Sequence, residues 1–425
     1  MRRGAWAGCL LGLAAPALGA QTPETCSIVL DHTANFERVL VGTYTRQFFS
    51  GDVRAHCAGG TTRMASDSAA FFEDRDRMDF VGRVHFEDST VTLDTDRALY
   101  FLTDERLEAY GNVRLVNRET GSVLTGANLV YRRAVAGVRD TSDMLARQRP
   151  TILYHSTEDS AGAEPYTIIG NQVRMRGDNR SWAGGSVTID RSDFHADADS
   201  VELDLDAGEG LLLGHAHVRG EEADSNGTFR VSGREIAFRL TEGDLDWLQS
   251  RDGAEATSAD WRLLADTLEF HIADNAVQGG LAWGDSTRAH ATSALHTMVA
   301  DSLAIDSPDQ ALREIRSFGH ARSTSVRDSV DGEADWVAGD TVIARFDTSE
   351  TGERYLAELD AAGHARALYR IFDPEQSEAE PNINYSRGET ILARFDATGI
   401  QRVDVAGEAD GVHLEPIGVV RRRNP

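Results

Sequence analysis

Apolar and polar residues alternate one by one along most of this chain. Val201, Leu203 and Leu205, for example, are separated by single acidic residues. A period of two places successive side chains on opposite faces of an extended strand, so each such segment has one apolar face to bury. The spacing of three or four residues that would indicate helices is nearly absent. The pattern therefore predicts an all-β protein.

The alternating segments belong to a short motif that recurs along the chain. A small residue is followed, usually, by an acid or an amide, then by any residue, and then by two apolar residues separated by one. Glycine or alanine permits a sharp bend, and an Asp or Asn side chain can hydrogen-bond to its own turn. The ten copies start at Ser66, Thr95, Gly126, Gly170, Ala198, Gly233, Ala265, Ala300, Gly339 and Gly388.

A second motif, Gly-x-Val or Gly-x-Ala, falls between these copies and predicts the next bend. Because one unit buries only one side of two strands, several units must stack to enclose an apolar interior. Such a stack ends in edge strands that can pair with a strand of a partner. The glycines of this motif are Gly51, Gly82, Gly111, Gly185, Gly214, Gly319, Gly363 and Gly407, and we interpret Gly279-Gly280-Leu281 as a degenerate copy.

The N-terminal segment has the features of a signal peptide. Arg2 and Arg3 precede an apolar run and a small-residue cleavage site, so we assign residues 1–20 to this segment. Beyond it the chain has two cysteines, Cys26 and Cys57. In an oxidising compartment a disulfide would tie the first strand to the first repeat, and two free thiols in strands are the alternative.

The repeats define the remaining organisation. We assign residues 21–278 to stacked strand repeats and residues 279–416 to a more divergent continuation of them. A basic tail follows at residues 417–425. Two polar, proline-containing insertions, residues 139–165 and 373–384, are predicted to loop out of the stack.

The net charge of the chain indicates which classes of partner it can bind. The formal net charge is −26, and all 43 basic residues are arginine. A nucleic-acid-binding protein needs clustered basic residues, and so does a protein that docks on an anionic membrane. We therefore expect no nucleic-acid partner, and we interpret the acidity as a solvated surface that keeps a long β protein soluble.

The sequence contains no strong motif of catalysis or metal binding. His215 and His217 share one strand face, and His195 lies near two aspartates, but surface histidines of a repeat explain both groups better than a metal site. Calcium-loop, nucleophile-elbow, zinc-protease and phosphate-loop motifs do not occur in the sequence. We expect no enzyme activity, no cofactor and no metal.

Two segments carry a resemblance to a known family. Residues 91–131 and 184–218 resemble the OstA-like (organic-solvent-tolerance, LptA-type) periplasmic proteins of lipopolysaccharide transport. The pattern of that family is roughly a Gly-Asn-Val strand, then a strand that carries Ala-Asp, and then an aromatic-ended strand. The likeness is good over residues 51–131 and 184–270 and weakens after residue 279.

The resemblance implies an elongated twisted β-jellyroll, or β-taco, whose groove shields the acyl chains of lipopolysaccharide or a related lipid. It also implies a periplasmic location, compatible with outer-membrane association, and contact with other envelope transport proteins through edge strands. Ordinary core packing is the alternative for each groove residue. The candidates for the inner face are Leu99, Leu129, Val201, Leu203, Ile236, Phe238, Leu268, Phe270, Leu303 and Val342.

The sequence leaves three functions open. The first is a lipid carrier that bridges the inner and outer membranes. The second is a structural repeat protein with a filled core, and the third is an assembly factor that pairs with outer-membrane components through its edge strands. The predicted stack has two facing sheets. A continuous apolar opening between these sheets would distinguish the first function from the other two. The identity of the lipid, the direction of transport and the oligomeric state are not encoded in these motifs.

Overall fold

The structure is a computed structural model, and it describes most of the chain downstream of residue 25. The expected signal peptide, the basic tail and most of the second insertion lie outside the described residues. The described ranges are 26–155, 164–177, 179–220, 229–258, 261–274, 276–293, 296–308, 311–325, 334–349, 352, 354–371, 381–396 and 399–416.

These ranges form 28 strands and one short 3₁₀ helix, which confirms the all-β prediction. No helix in the described part of the chain has the length and apolar character needed to cross a membrane. The first eight strands, with the helix Glu73–Arg75 after β4, are β1 (Ile28–His32), β2 (Asn35–Val41), β3 (Tyr44–Cys57), β4 (Arg63–Phe72), β5 (Arg77–Glu87), β6 (Val91–Phe101), β7 (Arg106–Asn117) and β8 (Val123–Arg132).

The central strands include four short ones. They are β9 (Asp143–Arg147), β10 (Thr151–Tyr154), β11 (Tyr166–Ile169), β12 (Gln172–Arg176), β13 (Arg180–Arg191), β14 (Phe194–Asp204), β15 (Glu209–Gly220), β16 (Phe229–Thr241), β17 (Asp244–Thr257) and β18 (Trp261–Ala273).

The C-terminal strands continue the same order. They are β19 (Ala276–Trp283), β20 (Ala289–Ser293), β21 (His296–Ala300), β22 (Ser302–Asp306), β23 (Glu314–Ser325), β24 (Trp336–Thr348), β25 (Arg354–Ile371), β26 (Asn382–Asp396), β27 (Gly399–Ala406) and β28 (Asp410–Leu414).

Neighbouring strands are antiparallel, and the long ones bend in the middle at what we call corners. At a corner the pairing slips by one residue, as between β4 and β5, where Ala65 pairs with His85 and Ser68 with Val81. Two successive residues with positive φ cause the slip; in β5 they are Gly82 (φ 81°) and Arg83 (φ 45°). All eight glycines of the Gly-x-Val/Ala motif adopt this left-handed conformation, and each is followed by a second residue in it.

The acid of the first motif packs against the glycine of the second. A Cβ at Gly82 would lie 2.5 Å from Oδ2 of Asp67, so only glycine leaves room for that carboxylate. The next residue, Arg83, donates to Asp67 through Nε at 2.9 Å. The same arrangement joins Asn112 to Asp96 at 2.8 Å. The two sequence motifs are therefore the two halves of one structural corner.

The glycine pattern is misleading at two places. The Gly279-Gly280-Leu281 segment is not a corner, because neither glycine has a positive φ and both pair in register with β22. Gly280 instead leaves space for the ring of Phe270. A further corner, which the Gly-x-Val/Ala motif does not identify, lies in β17, where the order is reversed: Asp252 (φ 60°) precedes Gly253 (φ 79°).

A substitution at Gly82 tests the corner. Gly82→Ala is expected to lower the free energy of unfolding by about 2–3 kcal/mol, because it adds left-handed strain and displaces Asp67. Gly253→Ala is the matched control: its φ is the same within a few degrees, but a Cβ there has nothing within 4 Å. It should cost about 1 kcal/mol. Urea unfolding measures both, and equal losses would show that the contact with Asp67 is unimportant.

The corners divide the sheet into two wings that face each other. Opposite the corners, the turns that end the half-strands of each wing meet along a line that we call the seam. The first wing contains residues 44–50, 68–72, 77–81, 97–101, 106–110, 128–132, 143–147, 172–176, 180–184, 200–204, 209–213 and 235–241, and the second contains residues 53–57, 63–66, 84–87, 91–95, 113–117, 123–126, 151–154, 166–169, 187–191, 194–198, 216–220 and 229–233.

The interior between the wings is one continuous apolar core. A single cluster of buried residues runs from Cys26 to Ala393, so the strands after residue 279 share the interior of those before it. Large side chains fill it, and Phe80, Tyr100 and Phe270 are each at most 1% exposed. Over most of its described length the space between the wings is therefore packed rather than open.

The structure tests two predictions in the N-terminal half of the chain, the disulfide and the first insertion. Cys26 and Cys57 form a disulfide, with their Cα atoms 5.0 Å apart, that ties the segment before β1 to the end of β3. The insertion at 139–165, by contrast, does not simply loop out. Residues 143–147 and 151–154 are β9 and β10, and Pro150 lies at the corner between them. The sequence pattern did not predict β9 and β10, because each of these strands is too short to show alternation.

Candidate functional site

The packed interior opens along the seam beside the turn that follows β14. A cavity of about 190 Å³ lies between the ends of the two wings, next to the turn from β14 to β15. It reaches the surface, because Asp206 and Ala207 at its edge are exposed. Its apolar wall consists of Tyr154, Tyr166, Ile168, Ile189, Phe194, Leu203, Leu205, Phe238 and Leu240. An apolar cavity of about 150 Å³ is sufficient to bind benzene, so this one can hold part of an alkyl chain.

Three aromatic rings cross the interior beneath the cavity. Tyr166 and Phe194 of the second wing meet edge to face with centroids 5.9 Å apart, and Phe194 lies 6.2 Å from Phe238 of the first wing. Gly210 on the neighbouring strand makes room for the ring of Phe238, because a Cβ at this position would overlap it. Glycine at position 210 therefore allows the Phe238 ring to form its part of the cavity wall.

A smaller void of about 50 Å³ adjoins the cavity on its N-terminal side. Tyr154 and Leu205 line both spaces, and Met175 and Tyr131 line the smaller one. The two voids lie beside the short strands β9 to β12, where the long strands of the fold are interrupted, as they are again at β20 to β22.

N-terminal to the cavity, polar contacts close the seam. The Tyr131 hydroxyl of the first wing donates to Oδ2 of Asp88 in a turn of the second wing, at 2.9 Å. The other oxygen of Asp88 accepts the backbone N–H groups of Thr90 and Val91, both at 2.8 Å. This carboxylate is 2% exposed and fully hydrogen-bonded, so it stabilises the contact between the wings.

A second buried carboxylate lies further toward the N-terminus. Glu105 is 1% exposed and accepts hydrogen bonds from the backbone N–H of Cys26, the hydroxyl of Tyr100 and, at 2.9 Å, the guanidinium of Arg133. Cys26 comes from the opposite side of the seam. Burial, together with the Glu105 carboxylate, raises the pKa of Tyr100, so its hydroxyl stays protonated and donates.

C-terminal to the cavity, the seam closes again. The Tyr166 hydroxyl and the Arg191 guanidinium both donate to the carbonyl oxygen of Gly243, at 2.8 and 2.9 Å. Arg191 also bonds Asp244 at 3.0 Å, and its guanidinium lies over the Tyr166 ring at 4.6 Å. Burial favours a neutral Arg191, but its bonds to Asp193 and Asp244 outweigh this and raise its pKa. The cavity is thus an opening between two closed stretches of seam.

Nine of the ten candidate groove residues face the interior. Leu203 and Phe238 line the cavity. Leu129, Val201, Ile236, Leu268, Phe270, Leu303 and Val342 are buried in the packed core away from its wall.

The assignment of Leu99 to the inner face is wrong. Its neighbours Ala98 and Tyr100 are buried, whereas Leu99 lies on the outer face between its cross-strand partners Asp79 and Glu108. Because Ala98 and Leu99 are adjacent and both apolar, the sequence pattern does not decide which of them faces the interior. In the structure, Ala98 and Tyr100 face the interior.

Most of the cavity residues were absent from the sequence-based candidates. Tyr154, Tyr166 and Ile168 belong to short half-strands at the edges of an insertion, where no repeat motif occurs. The closing residues Asp88, Glu105 and Arg191 are polar and lie in or beside turns, so their pattern is that of solvated loop residues. An available signal was a pair of aromatic residues, Tyr154 inside the insertion and Tyr166 directly after it.

His195 and His215 lie beside acids, and His195 lies between two of them, since Oδ2 of Asp197 is 3.6 Å from its Nε2. His195 contacts Asp190 through Nδ1 at 2.5 Å, and His215 contacts Asp199 at 3.0 Å at a corner. Within the described ranges, no three His, Cys, Asp or Glu side chains come together in a way that could hold a metal ion.

The two described ends of the sheet have unpaired edges. β1 and β2 pair only with β3, and β27 and β28 pair only with β26. Apolar side chains are exposed there, including Phe36 (57%) and Leu40 (73%) at one end and Val412 (54%) at the other. Such edges can accept a further strand.

The fold and the cavity define the class of this protein: an all-β repeat protein with a two-winged jellyroll architecture and an apolar opening at its seam. No protein-family model and no curated protein sequence matches the chain.

Proposed function

We propose that this chain is a periplasmic lipid-binding protein of the lipopolysaccharide-transport type, and that the seam cavity takes the apolar part of its lipid. The observation that carries the proposal is the cavity itself, an apolar space between the wings that reaches the surface. Transfer of an acyl chain into it gains roughly 0.8 kcal/mol for each CH₂ removed from water. The activity is binding without chemistry, and the polar head group stays outside.

The unpaired edges at the two ends of the sheet support a role in transport between the membranes. An edge strand with exposed apolar residues, such as β2 with Phe36 and Leu40, can be extended by a strand of another envelope protein. Partners at both ends would let the chain form a segment of a bridge between the inner and outer membranes. The lipid in this proposal is lipopolysaccharide or a related lipid.

A second candidate function is a structural or assembly protein with a filled core. The packed interior favours it, since residues such as Phe80 and Phe270 leave no space between the wings at their positions. In this case the open ends would pair with outer-membrane components, and the seam cavity would be a packing defect without a ligand.

Photocrosslinking in cells distinguishes the two candidates. A photoreactive amino acid in place of Leu203, which faces the cavity, is expected to crosslink to a lipid, and one in place of Leu281, which is 45% exposed on the outer face, is not. The crosslinked species are identified by mass spectrometry. Protein crosslinks from Leu40 and Val412 at the two ends, with no lipid at position 203, would reject the lipid-binding proposal in favour of the assembly function.

A further inference from the structure

The edge of the seam cavity indicates which lipid it accepts. We infer that the lipid held there has a head group without negative charge, so that the site selects a glycolipid or a similar neutral or cationic amphiphile over a phosphorylated one. This inference rests on the proposed lipid-binding function and narrows its ligand, from lipopolysaccharide or a related lipid, to related lipids whose head groups carry no phosphate. A head group whose alkyl chain occupies the cavity must lie against the residues of the cavity edge.

That edge is acidic. Asp204, Asp206 and Glu209 line the opening on the first wing, and Arg239 is the one basic residue that lines it among the described residues. Asp206 and Glu209 are exposed, so they face the solvent from which a head group would approach. Carboxylates accept hydrogen bonds from sugar hydroxyls and attract cations, but they repel phosphate.

The cations near the opening already have partners. Arg239 forms two parallel bonds with Asp246, from Nε at 3.0 Å and from Nη2 at 2.7 Å. The hydrogen bond from Arg239 lowers the pKa of Asp246, so this pair is ionised at neutral pH. Arg191 is occupied by Asp193, Asp244 and the carbonyl oxygen of Gly243. A phosphate would have to displace a carboxylate from either arginine.

The charge of the whole chain acts in the same direction. With a net charge of −26 and no lysine, the surrounding field also disfavours an anionic head group. The effect should depend on salt, because the screening length is about 30 Å at 0.01 M and about 3 Å at 1 M ionic strength. Discrimination by the cavity edge is therefore expected to be large at low salt and small at high salt.

Binding of three amphiphiles with the same chain tests the inference. Radiolabelled dodecyl glucoside, dodecyltrimethylammonium and dodecyl phosphate are measured by equilibrium dialysis against the full chain, below their micelle concentrations and with a chelator present. At low salt, dodecyl phosphate is expected to bind about tenfold more weakly than dodecyl glucoside, and high salt should reduce the difference to less than about threefold.

A pair of charge variants assigns the discrimination to the cavity edge. Asp206→Asn combined with Glu209→Gln should strengthen dodecyl phosphate binding several-fold and leave dodecyl glucoside binding within about twofold. The matched control, Glu37→Gln with Glu408→Gln, removes the same charge at exposed positions elsewhere and should change neither. Equal or tighter binding of dodecyl phosphate by the unmodified chain would overturn the inference alone. Failure of all three amphiphiles to bind would also overturn the proposed function.

Discussion

Replacing Glu105 by alanine is expected to lower the free energy of unfolding by about 3–5 kcal/mol. The carboxylate is 1% exposed and is the shared acceptor for Cys26, Tyr100 and Arg133. Its loss leaves a partly buried guanidinium without its partner and two buried donors without an acceptor, and an unpaired buried charge is more costly than an absent ion pair. Urea unfolding of the two proteins measures the difference.

Two controls separate this effect from a general effect of mutation in the turn. Asp104→Ala removes the adjacent, 45% exposed carboxylate and should change stability by less than about 1 kcal/mol. Glu105→Gln keeps one acceptor oxygen at the same place and should cost less than Glu105→Ala. Equal losses for Glu105→Ala and Asp104→Ala would mean that Glu105 does not hold the N-terminal part of the seam together.

Filling the seam cavity is expected to abolish its binding of an alkyl chain. Leu203→Trp adds an indole to a space of about 190 Å³, and we expect dodecyl glucoside to bind at least about tenfold more weakly. Leu203 is only partly buried, so the larger side chain can be accommodated in the cavity without displacing the packed core. Equilibrium dialysis measures the affinity, and urea unfolding verifies that the variant is folded.

The matched control is Leu281→Trp, which makes the same exchange at an outer-face position that is 45% exposed. It should leave dodecyl glucoside binding unchanged. Leu205→Trp, at a second residue of the cavity wall, provides an independent variant and should behave like Leu203→Trp. Unchanged binding in both cavity variants would place the alkyl chain elsewhere on the protein.

The separate roles of the seam and the interior bear on how a lipid could enter. The seam is closed on both sides of the cavity, by Asp88 with Tyr131 and by Gly243 with Tyr166. These closures consist of a few hydrogen bonds, whereas the interior consists of closely packed apolar side chains. In the proposed function, an alkyl chain longer than the cavity would have to break the hydrogen bonds of one closure before it could displace core side chains. The closures therefore set the length of alkyl chain that binds without a rearrangement of the protein.

Much of the fold could be predicted from the sequence because its determinants are local. Alternation identifies the buried face of a strand within a few residues, and the φ of a glycine such as Gly82 depends on its own backbone. The acid at Asp67 and the glycine that it contacts occur in the same order in repeat after repeat, so the corners were recognisable before their geometry was known. Leu99 shows the limit: where two apolar residues are adjacent, alternation does not decide which one faces inward.

The seam depends on contacts between residues that are far apart in the sequence. Asp88 and Tyr131 are 43 residues apart, and Tyr166 and Gly243 are 77 residues apart. These residues meet because each corner folds the half-strands of one wing over those of the other, and the accumulated geometry of many repeats sets which turns come together. A polar residue in a turn carries no sequence pattern that distinguishes a solvated side chain from a buried one. The strands, their corners and the apolar interior therefore follow from local sequence patterns, whereas the closures, the cavity and its acidic edge arise from long-range contacts that no local pattern encodes.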